Sequence, residues 1–183
     1  MTDPVVVTCA VVGAEVTREQ SPAVPYLPEE IARAAVEAWR EGAAVVHLHA
    51  RHPDGRPSQR PEHFREIVDR IRAAGCDAVL QCSTGGAVGM GVDERLGSLV
   101  DGAEMATLNL GTMNFGDGVF VNARPDIVRI ASRIRDYLAW RKPSALAPGR
   151  RDERATGALD MRRGPPLAGR ASDTARCLGG EAS

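Results

Sequence analysis

Apolar and polar positions recur along this chain with two different periods. Four short runs are apolar almost throughout: VVVTCAVV (5–12), AVVHLHA (44–50), AVLQCST (78–84) and MATLNLG (105–111). Runs of that length, rich in Val and other β-formers, predict strands buried on both faces. Between them apolar residues return every three or four positions, the period of an amphipathic helix. PEEIARAAVEAWREG (28–42) places Ile31, Ala34, Ala35, Ala38 and Trp39 at that spacing, and PEHFREIVDRIRAAG (61–75) repeats it with Phe64, Ile67, Val68 and Ile71. Both open on a proline followed by acid and close on a glycine. Proline lacks the N–H that the first helical turn leaves unpaired, acids complement the positive end of the helix dipole, and glycine stops the helix. A weaker helix is predicted over 92–102, a turn and short extended piece over 115–123, and a last helix over about 125–141.

Strand and helix therefore alternate. Apolar strands each followed by an amphipathic helix predict an α/β fold with a parallel sheet covered by helices. Residues 1–141 supply about four βα units of the (β/α) TIM-barrel type, half of the eight in a closed barrel. We expect an incomplete barrel. From Lys142 the pattern stops: residues 142–183 contain no Val, Ile, Phe, Tyr or Trp and consist largely of Ala, Arg, Gly, Pro and Ser. Such a composition buries too little to order itself, so this stretch is expected to be a disordered tail. GC-rich codons read out of frame would give the same residues. A half-barrel leaves sheet edges open, and we expect a homo-oligomer.

Charge changes the picture only by exclusion. A formal net charge of −1 gives no electrostatic footprint for nucleic acid or an anionic membrane. No apolar run reaches the roughly 20 residues that span a bilayer, and MTDPVVV has no basic secretory leader. The expected setting is cytoplasmic, with small molecules as partners.

Candidate chemistry gathers at the strand ends. In AVVHLHARHPDG, His47 and His49 are two apart, so on a strand both face one side while Leu48 faces the other. Paired imidazoles can supply two nitrogen ligands to zinc; they can equally be hydrogen-bonded polar residues closing a strand. His52, in a turn, and His63, at a helix start, read as structural. In a parallel fold every strand's carboxyl end opens onto one rim, so Glu15, after the first strand, can share a cleft with the histidines or be a solvated loop acid. Ser83 and Thr84 precede Gly85 and Gly86 in CSTGGAVGMG, where hydroxyls and bare amides can hold an oxyanion or carboxylate, though paired glycines also make ordinary turns. Thr107 and Asn109 repeat the two-residue spacing on the fourth run.

Four segments, AVVGAEVTREQSPAVPYLPEEIA, GAAVVHLHARHPDGRPSQ, QCSTGGAVGM and EMATLNLGTMNFGDGVFVN, together resemble the β-keto acid cleavage enzyme family, that of the 3-keto-5-aminohexanoate cleavage enzyme of lysine fermentation. The resemblance runs from about residue 5 to 135. It implies a zinc-dependent (β/α)₈ barrel that exchanges an acyl group between a β-keto acid and acetyl-CoA, giving acetoacetate and an acyl-CoA. By motif it implies His47 and His49 as zinc ligands and Glu15 at the substrate's amino group. Ser83 would meet the carboxylate and keto region, with Thr84, Gly85, Gly86, Thr107 and Asn109 completing the pocket; Ser83 and Thr107 would stabilise developing charge without forming a covalent intermediate. In the family a late glutamate is the third zinc ligand, with an arginine and an aspartate near it. Residues 142–183 carry no matching motif, so this chain is expected to be a poor and unstable enzyme. Two other readings stay open: a zinc amidohydrolase-like barrel, which places HxH on its first strand with later histidines, whereas here it lies on the second and none follows His63; and a non-catalytic half-barrel.

Overall fold

A computed structural model describes residues 5–140. The expectations placed on 142–183 lie outside them. Strand β1 (Thr8–Ala10) leads to helix α1 (Pro28–Arg40), β2 (Val45–Leu48), a short β3–β4 hairpin (Ala50–Arg51 and Pro57–Ser58) and α2 (Pro61–Ala73). Strand β5 (Val79–Cys82), α3 (Val92–Arg95) with a 3₁₀ turn (Leu96–Ser98), β6 (Met105–Ala106), the β7–β8 hairpin (Met113–Phe115 and Gly118–Phe120) and α4 (Arg124–Trp140) follow. Each predicted strand and helix is present. Most end a little inside the sequence pattern, and three are much shorter: the first run narrows to three residues, the fourth to two, and the third helix tightens into a 3₁₀ turn after one α-helical turn.

The main sheet runs β1-β2-β5-β6, every pair parallel. Strands added one after another on the same side, without reversal, are the arrangement of a (β/α) barrel; a doubly wound sheet reverses its order. Register sets Ala10, His47, Gln81 and Met105 in one row across the sheet. Their neighbours face the other way. Val46, Leu48, Leu80 and Cys82 are buried against Ile31, Ala35, Phe64, Ile67, Val68 and Ile71 of α1 and α2. Each large side chain so buried contributes about 1.5–3 kcal/mol, so this layer holds the sheet to its helices and leaves the opposite face for chemistry.

Local chemistry fixes the entry of α1. The Glu30 carboxylate reaches back to accept the backbone N–H groups of Tyr26 (2.8 Å) and Leu27 (3.0 Å) and pairs with Arg18. Those backbone bonds, with Arg18 adding to them, hold its carboxyl below the ordinary range. Because the folded group titrates below its unfolded counterpart, its contribution is complete above that ordinary range and is lost as pH falls through the folded pKa. Glu30→Gln is therefore expected to lower stability by about 1 kcal/mol at neutral pH, the usual size of a helix-start cap, and by progressively less in acid. Urea unfolding at pH 7 and pH 3 checks this; an equal loss at both would rule out the charged cap.

Candidate active site

Because all four strands run one way, their carboxyl ends share a rim. The row Ala10–His47–Gln81–Met105 is followed, one two-residue step along β2, β5 and β6, by His49, Ser83 and Thr107. His47 and His49 are half-buried on the face away from the helices, with ring centroids 5.0 Å apart and planes at 73°. Gln81, opposite His47 in register, places its Oε1 2.9 Å from His47 Nδ1. That acceptor requires a proton on Nδ1, which leaves the Nε2 lone pair for a ligand. Burial lowers the His47 pKa, opposed by the Gln81 bond, and burial with the nearby His47 and Arg51 charges pushes His49 down to about 4. Both rings are neutral at pH 7, the state in which imidazole binds metal.

The loop after β5 is the best-buried part of the rim. Ser83 and Thr84 are buried, and the Ser83 N–H donates to the Leu48 carbonyl at 3.0 Å, tying the loop to β2. Gly85 N–H donates to Ser83 Oγ at 3.2 Å, and Thr84 N–H donates to Thr107 Oγ1 at 3.2 Å. Each hydroxyl thus already accepts one bond, and its own hydrogen is left to donate. A Cβ on Gly85 would lie 3.1 Å from Ser83 Oγ and 3.5 Å from Asn109 Nδ2, so Asn109 closes the same corner. Thr107 and Asn109 lie beyond the end of β6, in the following loop and not on the predicted strand. Gly86 has φ +66° and abuts Met90, Arg95 and Gln59, a conformation and closeness that disfavour any side chain.

Glu15 is exposed on the β1–α1 loop. Arg51, nearly sealed from solvent, anchors that loop: its guanidinium donates to the carbonyls of Gly13 (2.8 Å), Val16 (3.1 Å) and Gly55 (2.6 Å). Glu15 therefore sits on a braced segment beside a cation, with the Arg51 carbon 5.5 Å from the Tyr26 ring centre. His52 and His63, set aside as structural, stack edge-on to each other, and His63 Nδ1 lies 2.8 Å from Ser58 Oγ.

Several residues escaped the sequence reading. Gln81 could have been suspected as a polar side chain inside an apolar strand two residues before Ser83. Arg51, Gln59 and Arg95 carry no local signal, since each occurs in a polar stretch that reads as surface, and Asn122 closes the short apolar run 119–121, where it reads as an ordinary strand end. Among the described residues, no group of three His, Cys, Asp or Glu side chains is placed to hold a metal ion. The donor set is nonetheless compatible with one: two neutral imidazoles on one face, one already held in a fixed tautomer.

Fold and rim together define a (β/α)-barrel segment with a paired-histidine site at the strand ends. The family model for β-keto acid cleavage enzymes matches residues 4–139, and the chain belongs to that family. It is 50% identical over 128 residues to the 3-keto-5-aminohexanoate cleavage enzyme of Fusobacterium nucleatum, covering 69% of this chain and 47% of that protein. It is 49% identical over 114 residues to the 3,5-dioxohexanoate:acetyl-CoA acetone transferase of Paraburkholderia graminis, covering 61% and 36%. The apo structure of ObcA superposes with a TM-score of 0.55 at 25% identity, over 62% of this chain and 28% of that one. The chain thus spans about half the length or less of these relatives.

Proposed function

We propose that the rim is the acyl-recognising half of a β-keto acid cleavage site, for exchange of an acyl group between a β-keto acid and acetyl-CoA. The observation that supports it best is the alignment of His47–His49 with Ser83 and Thr107 on one face of a parallel sheet. His47 and His49 would hold Zn²⁺, which when bound polarises the β-keto oxygen as a Lewis acid. The chain's own groups do the rest. The Ser83 and Thr107 hydroxyls donate to substrate oxygens where negative charge collects, Asn109 adds an amide beside them, and the Thr84–Gly86 backbone narrows the floor. Neither hydroxyl has a histidine placed as its base, so their role is charge stabilisation without covalent attachment. The amidohydrolase reading finds no support in the family match, since the motifs matched are those of another reaction.

Titrating acetoacetate into the zinc-loaded full chain tests this reading. Binding that disappears on chelation is expected; no binding with zinc present would overturn it. A second reading, recognition without turnover, draws on the two imidazoles lacking a third metal-binding partner among the described residues. Formation of acyl-CoA and acetoacetate from β-keto acids and acetyl-CoA, followed by mass spectrometry, separates the two. Exposed Val5, Val6 and Val7 beside β1, with Leu110, Met113 and Phe115 at the far side, support self-association, and the setting we propose is cytoplasmic.

Glu15 would select for a cationic substituent. Glu15→Gln should weaken binding of an amino-substituted β-keto acid by up to about fivefold, the limit for an exposed ion pair, and leave acetoacetate unaffected. Equal losses for both would assign Glu15 a structural role.

A further inference from the structure

Two buried side chains to which no role has been given above, Gln59 and Arg95, grip the Ser83–Gly86 loop from below. Gln59 is 3% exposed and donates from Nε2 to the Ser83 carbonyl at 3.2 Å. Arg95 is 1% exposed and donates from Nε to the Thr84 carbonyl at 2.8 Å, then from a terminal nitrogen to Asn122 Oδ1 at 2.9 Å. Consecutive carbonyls are thus held by two separate donors. In a trans peptide the C=O and the next N–H point in opposite directions, so holding a carbonyl aims the following amide. Gln59 on Ser83 C=O sends Thr84 N–H toward Thr107 Oγ1, and Arg95 on Thr84 C=O sends Gly85 N–H toward Ser83 Oγ.

Neither side chain is where stability alone would put it. Gln59 Oε1 is buried with no hydrogen-bond partner among the described residues, an arrangement that costs stability. Arg95 is among the most deeply buried large side chains, yet its contacts are a carbonyl, an amide oxygen and the Phe120 ring, 4.9 Å from its guanidinium carbon to the ring centre. No carboxylate among the described residues forms an ion pair with it, and the Asp126 charge acts on it only at longer range, against the cost of its burial. Asn122 carries the brace onward, its Nδ2 donating to the Gly111 carbonyl at 3.0 Å and its N–H to Thr112 Oγ1 at 2.9 Å, so the loops after β5 and β6 are tied to each other.

We propose that Gln59 and Arg95 are positioning residues that set the hydrogen-bonding state of the Ser83 and Thr107 hydroxyls through the two amides between them. With each hydroxyl oxygen already accepting a backbone N–H, its hydrogen is left to donate to an incoming ligand oxygen. The ligand class, a β-keto carboxylate, rests on the function proposed above; the aiming of the amides does not.

The test uses the full chain and reads amide hydrogen exchange by NMR, so it requires no ligand. Gln59→Met keeps the shape, removes the donor and also removes the unpaired acceptor. Arg95→Lys keeps the charge but gives up the fork that spans Thr84 and Asn122. Exchange at Thr84 N–H is expected to quicken at least tenfold in Gln59→Met, and at Gly85 N–H in Arg95→Lys, with α2 and β2 protection and the melting temperature of Gln59→Met unchanged. Unaltered exchange at both amides overturns the proposal. So does protection lost throughout α2 and β2 in Gln59→Met, which would make Gln59 an ordinary core residue. Acetoacetate titration of the same variants should show weaker binding than the parent; a parent that binds none counts against the functional reading alone, and the exchange result stands.

Discussion

Replacing either His47 or His49 with alanine is expected to weaken zinc binding by at least about 100-fold, more than the 10–100-fold that outer-shell changes cost at metal sites. The two rings share a sheet face at a centroid separation of 5.0 Å, and neither has a local substitute: the other histidines, His52 and His63, pair with each other. Gln81→Leu supplies the graded control. It leaves both ligands but removes the acceptor that holds His47 Nδ1 in its protonated tautomer, so affinity should fall by about tenfold, at the lower end of outer-shell effects. Competition against a chromophoric chelator, with bound metal counted by plasma emission, measures all three. Zinc retained at the parent level in both alanine variants would mean the pair is a polar strand ending and nothing more.

Among the described glycines, Gly97→Ala should be the most damaging single methyl. Gly97 lies in the 3₁₀ turn, and a Cβ there would sit 2.1 Å from the Gln59 carbonyl oxygen and 3.3 Å from Pro61 Cδ. A flexible side chain could swing away, but this oxygen is backbone and lies two residues before the start of α2. The turn and the helix must therefore part by more than about 1 Å for ordinary contact, a displacement a close-packed interior resists. Overpacking of this severity costs about 3 kcal/mol. For a domain of this size that lowers the melting temperature by about 10 °C. The same displacement would carry Gln59 off the Ser83 carbonyl, so Thr84 exchange should quicken as well. A melting temperature within about 2 °C of the parent would show that the turn has room the close approach denies.

Much of this protein was legible in its sequence because the features concerned are periodic or contiguous. The apolar runs and the three-and-four spacing of Ile31, Ala35, Phe64, Ile67 and Ile71 determine which faces are buried. Proline and acid at the helix starts determine where α1 and α2 begin, and strand–helix alternation determines a parallel sheet. The HxH spacing alone puts two imidazoles on one side of β2, and Glu15, Ser83, Thr84, Gly85, Gly86, Thr107 and Asn109 fall at strand ends by position. What the sequence could not carry is anything formed between distant segments. The register that sets Gln81 against His47, and so fixes a tautomer, depends on how two strands 34 residues apart slide past each other. The fourth strand stops at Ala106 because Thr84 and Thr107 bond to each other across the loops and end the ladder. Arg51, Gln59 and Arg95 stand in polar stretches indistinguishable from solvated surface. Only tertiary packing buries them, because a backbone carbonyl turned inward needs a donor, and the Gly13, Ser83 and Thr84 carbonyls find theirs 38, 24 and 11 residues away in the chain.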